Sequence, residues 1–183
     1  MKNEKISEIK NIFTTRLYAL DHILSVGDKH FSDMNAILKE RLAPDMFTLG
    51  AQVALACNQP RGFAQWCAGQ PIDNLDLDVE SLELARSHIL NTKSLVQAII
   101  VDDSKLDETK RIGLGPGRHC VLPGRQYIDD FLVPNLYFHI TTAYAILRKL
   151  GAPVGKLDFM TYLAPYIKEE AKEGASGSAN KTQ

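Results

Sequence analysis

The sequence predicts an all-α fold, a bundle of four long helices with a small β-ribbon between the third and the fourth. Three observations carry this prediction. Apolar residues recur at helical spacing over four long stretches. Helix-starting prolines and helix-stopping glycines punctuate those stretches at Gly27, Pro44, Gly69-Gln70-Pro71, Pro134 and Gly151. One segment, residues 109–127, breaks the helical period and alternates roughly around Gly115-Pro116-Gly117.

The first helix is expected from Ile6 to Val26. Ile9, Ile12, Phe13, Leu17, Leu20, Ile23 and Leu24 fall on its stripe, and Gly27 stands where a stop belongs. A short amphipathic turn, Met34 to Leu42, follows Ser32 or Asp33 as cap. Pro44 is expected to open the second helix, with Asp45 in its first turn, where a carboxylate favours the helix dipole. Met46, Leu49, Val53 and Cys57 mark its inner face, and it reaches Trp66 or Cys67 with a kink expected at Pro60. The third helix is expected from Val79 to Val101, capped by Asp76 or Asp78. Leu82, Leu84, Ala85, Ile89, Leu95, Val96 and Ile99 are its expected buried positions.

The ribbon pairs a strand near Lys110–Leu114 with one near His119–Leu122. Its glycines do not make a phosphate loop, because no strand precedes them and no helix follows directly. The fourth helix is expected from Pro134 to Leu150, and a short terminal helix within Pro153–Ala164. Gly155-Lys156-Leu157-Asp158 is expected to cap or tie down that last segment. From Glu169 the chain is Lys, Glu, Gly, Ser and Asn without apolar anchors, so residues 1–167 form one domain and 168–183 a disordered tail.

Composition narrows the function classes. The chain has 183 residues, 45% hydrophobic and 23% charged, enough to bury a full core. The 21 basic and 22 acidic residues leave a net charge of −1, which gives no reason to expect nucleic acid or an anionic membrane as partner. No run of about 18 apolar residues is present, so no membrane span is expected. Three cysteines, Cys57, Cys67 and Cys120, and a polar N-terminus argue against a secreted disulfide framework and for a cytoplasmic protein. No cysteine has a basic neighbour on its own helix turn, so no reactive thiolate is expected.

The fourth helix holds the residues of greatest interest. Beside its apolar stripe runs a polar one: Asn135, His139 and Thr142. His139 is either a core histidine bonded to a backbone carbonyl or to Gln52, or a base or ligand contact in a pocket between the second and fourth long helices. Asn135, Asp45, Gln52 and Tyr137 are the residues expected to orient it or to touch a small molecule. The other histidines carry less. His22 and His30 suit the end of the first helix, and His88 is expected to be solvated.

Leu42-Ala43-Pro44-Asp45-Met46-Phe47 with Gln52-Val53, the string Pro134-Asn135-Leu136-Tyr137-Phe138-His139-Ile140-Thr141-Thr142-Ala143-Tyr144-Ala145-Ile146-Leu147-Arg148, and Gly155-Lys156-Leu157-Asp158-Phe159 together resemble an uncharacterised, mainly bacterial family. That family is grouped with the DinB/YfiT-like superfamily. The resemblance covers about residues 10–163 and implies an up-down-down-up four-helix bundle, often a homodimer. It also brings the alternative of a divalent-metal or thiol-dependent transferase, as in other members of the superfamily, whereas the family itself has no assigned reaction.

Metal-binding members of that superfamily hold a divalent ion, zinc or nickel, with one histidine from the second helix and an HxxxH pair on the fourth. Here the positions four residues either side of His139 are Asn135 and Ala143, and the second helix has no histidine. The triad is not preserved and no metal ligand carries over, so no cofactor is expected, with a zinc or nickel ion as the alternative. Two functions from different classes remain: a small-molecule-binding protein with a pocket between helices two and four, and a non-catalytic dimeric module whose polar core residues only specify the fold.

Overall fold

A computed structural model describes residues 3–168. Four long helices dominate it: α1 (Glu4–His30), α3 (Leu49–Cys67), α4 (Leu82–Gln97) and α6 (Val133–Lys149). Between them lie α2 (Met34–Ile37), a 3₁₀ turn (Asp103–Asp107), strands β1 (Thr109–Gly113) and β2 (His119–Pro123), and α5 (Gly124–Gln126). A π-helical turn (Tyr127–Leu132) joins α5 to α6, and α7 (Lys156–Phe159) with a last 3₁₀ turn (Thr161–Tyr166) ends the described chain. The expected tail lies outside the described residues, apart from Lys168. No described helix is long and apolar enough to cross a membrane.

The helix α3 is the axis of the bundle. It packs chiefly against α6 and α4, while α1 closes the other side against the same two helices. Sixteen of its 19 residues are buried, so it has no solvent face of its own. Phe13 of α1 meets Phe63 of α3 edge-on at 5.6 Å, and both rings are fully buried. Helix α3 continues through Pro60 and ends, as expected, at Cys67.

Several boundaries differ from the sequence expectation, each for a local reason. Helix α1 runs past Gly27 to His30. Gly27 is buried, and a side chain there would meet Leu147 at 3.0 Å and Met34 at 3.3 Å. The glycine serves a close approach between helices rather than a stop. Helix α3 starts at Leu49, not Pro44, with the Thr48 hydroxyl accepting from the Ala51 N–H. A bridge between Arg41 and Thr48 pinches off the intervening loop, and the Leu49 N–H donates back to the Glu40 carbonyl. Asp45 therefore sits exposed on that loop instead of in a first helical turn.

Helix α4 is shorter than expected at both ends, with Ser81 as its cap. Its inner stripe is Leu82, Ala85, Ile89, Thr92 and Val96. Leu84 and Leu95, expected inside, are 39% and 36% exposed because they stand off that stripe. His88 is half-buried rather than solvated, with its Nε2 enclosed and unpartnered. The ribbon is antiparallel, Arg111 opposite Val121 at its centre, within a residue of expectation. Gly115 and Gly117 take positive φ values of 97° and 69° in its turn, which favours glycine.

Pro134 does not open the fourth helix. The helical run begins at Gly124 and passes through the π turn into α6, where Pro134 is the second residue. Proline offers no N–H to the carbonyl four residues back, that of Asp130, and its ring crowds it. Widening the turn ahead of it relieves that clash. The Asn135 side chain then donates to the Phe131 carbonyl at 2.7 Å, supplying a donor where the π ladder meets the α ladder.

Candidate functional site

Of the five residues singled out from the sequence, the structure brings two together. His139 Nδ1 lies 2.8 Å from Gln52 Oε1, across the α3–α6 contact. Gln52 is fully buried and its amide nitrogen donates to the Phe47 carbonyl, at 3.4 Å, which leaves Oε1 free to accept. His139 therefore carries its proton on Nδ1 when neutral. Burial pushes its pKa down to about 4, so the ring is uncharged near neutral pH.

The other three lie apart from this pair. Asn135 is engaged with the Phe131 carbonyl, one turn earlier. The Tyr137 hydroxyl accepts from Arg16 Nε at 2.7 Å, and the Arg16 guanidinium also stacks on Tyr162, 3.6 Å from the ring centre. That cluster fastens the last 3₁₀ turn to α1 and α6. Asp45 borders a surface hollow of about 520 Å³ on the loop before α3, together with Arg41, Phe47, Asp76 and Asp78.

A metal does not fit these residues. A zinc site takes three or four protein donors in tetrahedral array. Here one imidazole faces an amide oxygen, and Asp45 is on an exposed loop. Among the described residues no three His, Cys, Asp or Glu side chains are grouped to hold an ion. The thiols are equally closed. Burial pushes both Cys57 and Cys67 up to about 12, so neither is a thiolate at neutral pH.

A more open arrangement lies at the other end of the α3–α6 seam. A cleft of about 470 Å³ is bounded by α3, β1, the π turn and the loop after α3. Leu55, Asn58, Gln59 and Gly62 face it from α3, at the i, i+3, i+4, i+7 spacing of one helix face. The ribbon contributes Lys110 and Ile112, alternate residues on its inner face. The π turn contributes Tyr127 and Phe131, whose rings stack at 6.0 Å and 21°. Trp66 packs edge-on behind Tyr127 at 5.5 Å and holds it in place.

The polar groups of this cleft are not used up by the fold. Asn58 is only 8% exposed; its side-chain oxygen accepts from the Leu75 N–H, while its NH₂ has no partner among the described residues. Tyr127 is 2% exposed, and its hydroxyl makes no hydrogen bond there either. That hydroxyl lies 3.7 Å from where a side chain on Gly62 would begin, so the glycine keeps space open in front of it. Burial pushes the Tyr127 pKa up to about 12 and keeps the hydroxyl a donor. No acidic residue lines the cleft.

Sequence reasoning placed a pocket between the second and fourth long helices but named none of these residues. Two signals were available. Asn58 and Gln59 are adjacent amides on a mostly apolar helix, and Tyr127 and Phe131 are aromatic residues four apart.

Comparison with known proteins agrees with this architecture. The chain is similar to a protein from Shewanella denitrificans whose crystal structure is described as that of a DinB family member. The TM-score is 0.71 at 28% identity, covering 86% of this chain and 94% of that one. No protein of curated function matches. The model of a family described as a domain of unknown function, DUF1993, matches residues 8–160. The chain is thus an all-α, DinB-like helical protein of uncharacterised activity and belongs to the DUF1993 family.

Proposed function

We propose that this protein binds a small organic molecule in the cleft between α3, β1 and the π turn. The supporting observation is a pair of donors on otherwise buried residues, the Tyr127 hydroxyl and the Asn58 amide, which open on a cleft of mixed polar and apolar lining and have no partner among the described residues. A few convergent polar groups beside apolar side chains are what a small-molecule site presents. The volume, about 470 Å³, lies in the range of small-molecule sites. The π turn favours the same place, since such turns occur often at functional sites.

A structural role suits the pair His139 and Gln52. His139 Nδ1 and Gln52 Oε1 satisfy each other, and His139 borders none of the cavities described above. We further propose that the protein is a homodimer. Leu84 and Leu95 stand three turns apart on one exposed stripe of α4, with Leu90 63% and Ile100 94% exposed nearby.

The test is a fragment screen by ¹H–¹⁵N NMR on the full chain and on Gly62→Met, which fills the cleft. Hits whose shifts cluster at residues 110–113 and 127–132, and vanish in Gly62→Met, are the expected result. Hits that scatter, or that centre on His139 and persist in the variant, overturn the proposal.

A further inference from the structure

We infer that the ligand of this cleft is a small carboxylic acid with a flat apolar body, its carboxylate held by Lys110, Tyr127 and Asn58. This rests on the cleft being the binding site. It adds the chemical class, which follows from what the cleft offers and what it lacks.

Three side chains at the cleft carry uncommitted donors, beside the free amide oxygen of Gln59. The Tyr127 hydroxyl and the Asn58 NH₂ have no partners among the described residues, and the same holds for the side chain of Lys110. The free acceptors of an anion are the natural counterpart to such a set. Lys110 lies on the inner face of β1 with Ile112 and forms no ion pair among the described residues. Its surroundings add repulsion rather than neutralisation. Burial, then the nearby charge of Lys105, lowers its pKa, while Lys105 is itself paired with Glu108 at 2.7 Å. A partly buried ammonium without a carboxylate beside it is a favourable place for an arriving anion. Arg111, next along the strand, also borders the cleft and is likewise unpaired among the described residues.

The walls set the rest of the molecule. Leu55, Ile72, Ile112 and Leu132 surround the stacked rings of Tyr127 and Phe131. A planar apolar body can lie against those rings, with its charged end at the donors. Lys110 is the one cation on the inner face of β1, and a carboxylate matches its single charge, whereas a phosphate dianion brings a second.

The probes are 2-naphthoate, its neutral amide 2-naphthamide, and 2-naphthyl phosphate, titrated into the full chain and followed by ¹H–¹⁵N NMR. The expected result is binding of 2-naphthoate with shifts at residues 110–113 and 127–132, about tenfold tighter than the amide, as a charge-assisted contact requires. Lys110→Gln should erase that preference, and Tyr127→Phe should weaken the acid about fivefold while keeping the ring between Trp66 and Phe131. Unchanged melting temperatures of both variants make these losses local. Equal or tighter binding of the amide at the same residues overturns the inference and leaves the cleft as the binding site. Tighter binding of the phosphate overturns the choice of carboxylate. If benzoate, 3-phenylpropionate and all three naphthyl probes leave the cleft residues unshifted at millimolar concentration, the inference and the binding site both fall.

Discussion

Lowering the pH should weaken this fold through one residue, His139. Its imidazole pKa falls from 6.5, the ordinary value, to about 4 in the folded protein, because burial between α3 and α6 disfavours the cation. Between those two pH values the unfolded chain binds a proton that the folded one does not. Stability therefore rises with pH across this window and is lost as pH falls through it. Each tenfold change in proton affinity is worth about 1.4 kcal/mol, which sets a ceiling of about 3 kcal/mol. The ring is partly reached by solvent, so about 1–2 kcal/mol is the working figure. The assay is urea unfolding at about pH 7.5 and about pH 4.5, for the natural chain and for His139→Leu. Other groups also titrate in or near this range. His88, lowered by burial, acts in the same direction, and Asp158, held low by its bond to His22 and by the Gly155 N–H, adds its loss only below its ordinary value of 3.8. They are present in both proteins and cancel in the difference. His139→Leu should be less stable at neutral pH, because Gln52 loses its partner, but should lose less stability on acidification. Equal losses in the two proteins would refute the buried neutral histidine.

Three further outcomes are expected. Gly124→Ala should cost about 1–3 kcal/mol by overpacking, read as a lower urea midpoint. The new methyl would stand 2.7 Å from both the Leu106 carbonyl and the Trp66 ring, and an unchanged midpoint would show that this approach is not tight. Ellman's reagent at mildly alkaline pH should label Cys120, which is half-buried, well before Cys57 and Cys67; rapid labelling of all three would contradict the burial of the other two. Light scattering should report a dimer that Leu90→Lys with Leu95→Glu converts to a monomer, whereas an unchanged mass for the variant would remove the outer face of α4 as the interface.

The bundle was legible because its signal is periodic. The stripe Ile9, Phe13, Leu17, Leu20, Leu24 is wholly buried, and the ribbon lies within a residue of its expected place. What misled was single residues with two uses. Gly27 reads as a stop but permits contact with Leu147 and Met34. Pro44 reads as a helix start but stands in a loop that the Arg41–Thr48 bridge closes. Pro134 reads the same way but widens a helix already under way. In each case a contact distant in sequence decides between the two uses, and no local pattern encodes it. Gly155 to Asp158 fared better, because its cap is local: the Asp158 carboxylate accepts from the Gly155 N–H at 2.7 Å. The same carboxylate also holds His22, 2.8 Å away on α1, a pairing that sequence spacing could not reveal.

The polar stripe of α6 was the natural first choice for a site, and satisfaction of hydrogen bonds is what shifts attention from it. Asn135 serves the Phe131 carbonyl, His139 serves Gln52, and Thr142 donates to the Phe138 carbonyl at 2.8 Å. Each of these groups makes a hydrogen bond inside the fold, and the ring nitrogen that His139 leaves over, Nε2, borders none of the cavities described, so the stripe stabilises and orients α6 without needing a ligand. The cleft residues differ in that their spare donors open into a cavity. Asn58 and Tyr127 are buried residues, yet each presents to the cleft a donor without a partner among the described residues, and the partly buried Lys110 keeps a charge without one. Folding gains nothing from such donors. The same π turn that Pro134 imposes stacks Phe131 on Tyr127 at the cleft wall. The long recognisable motif and the cleft are thereby joined: the motif's first residue shapes the turn that presents the cleft's rings.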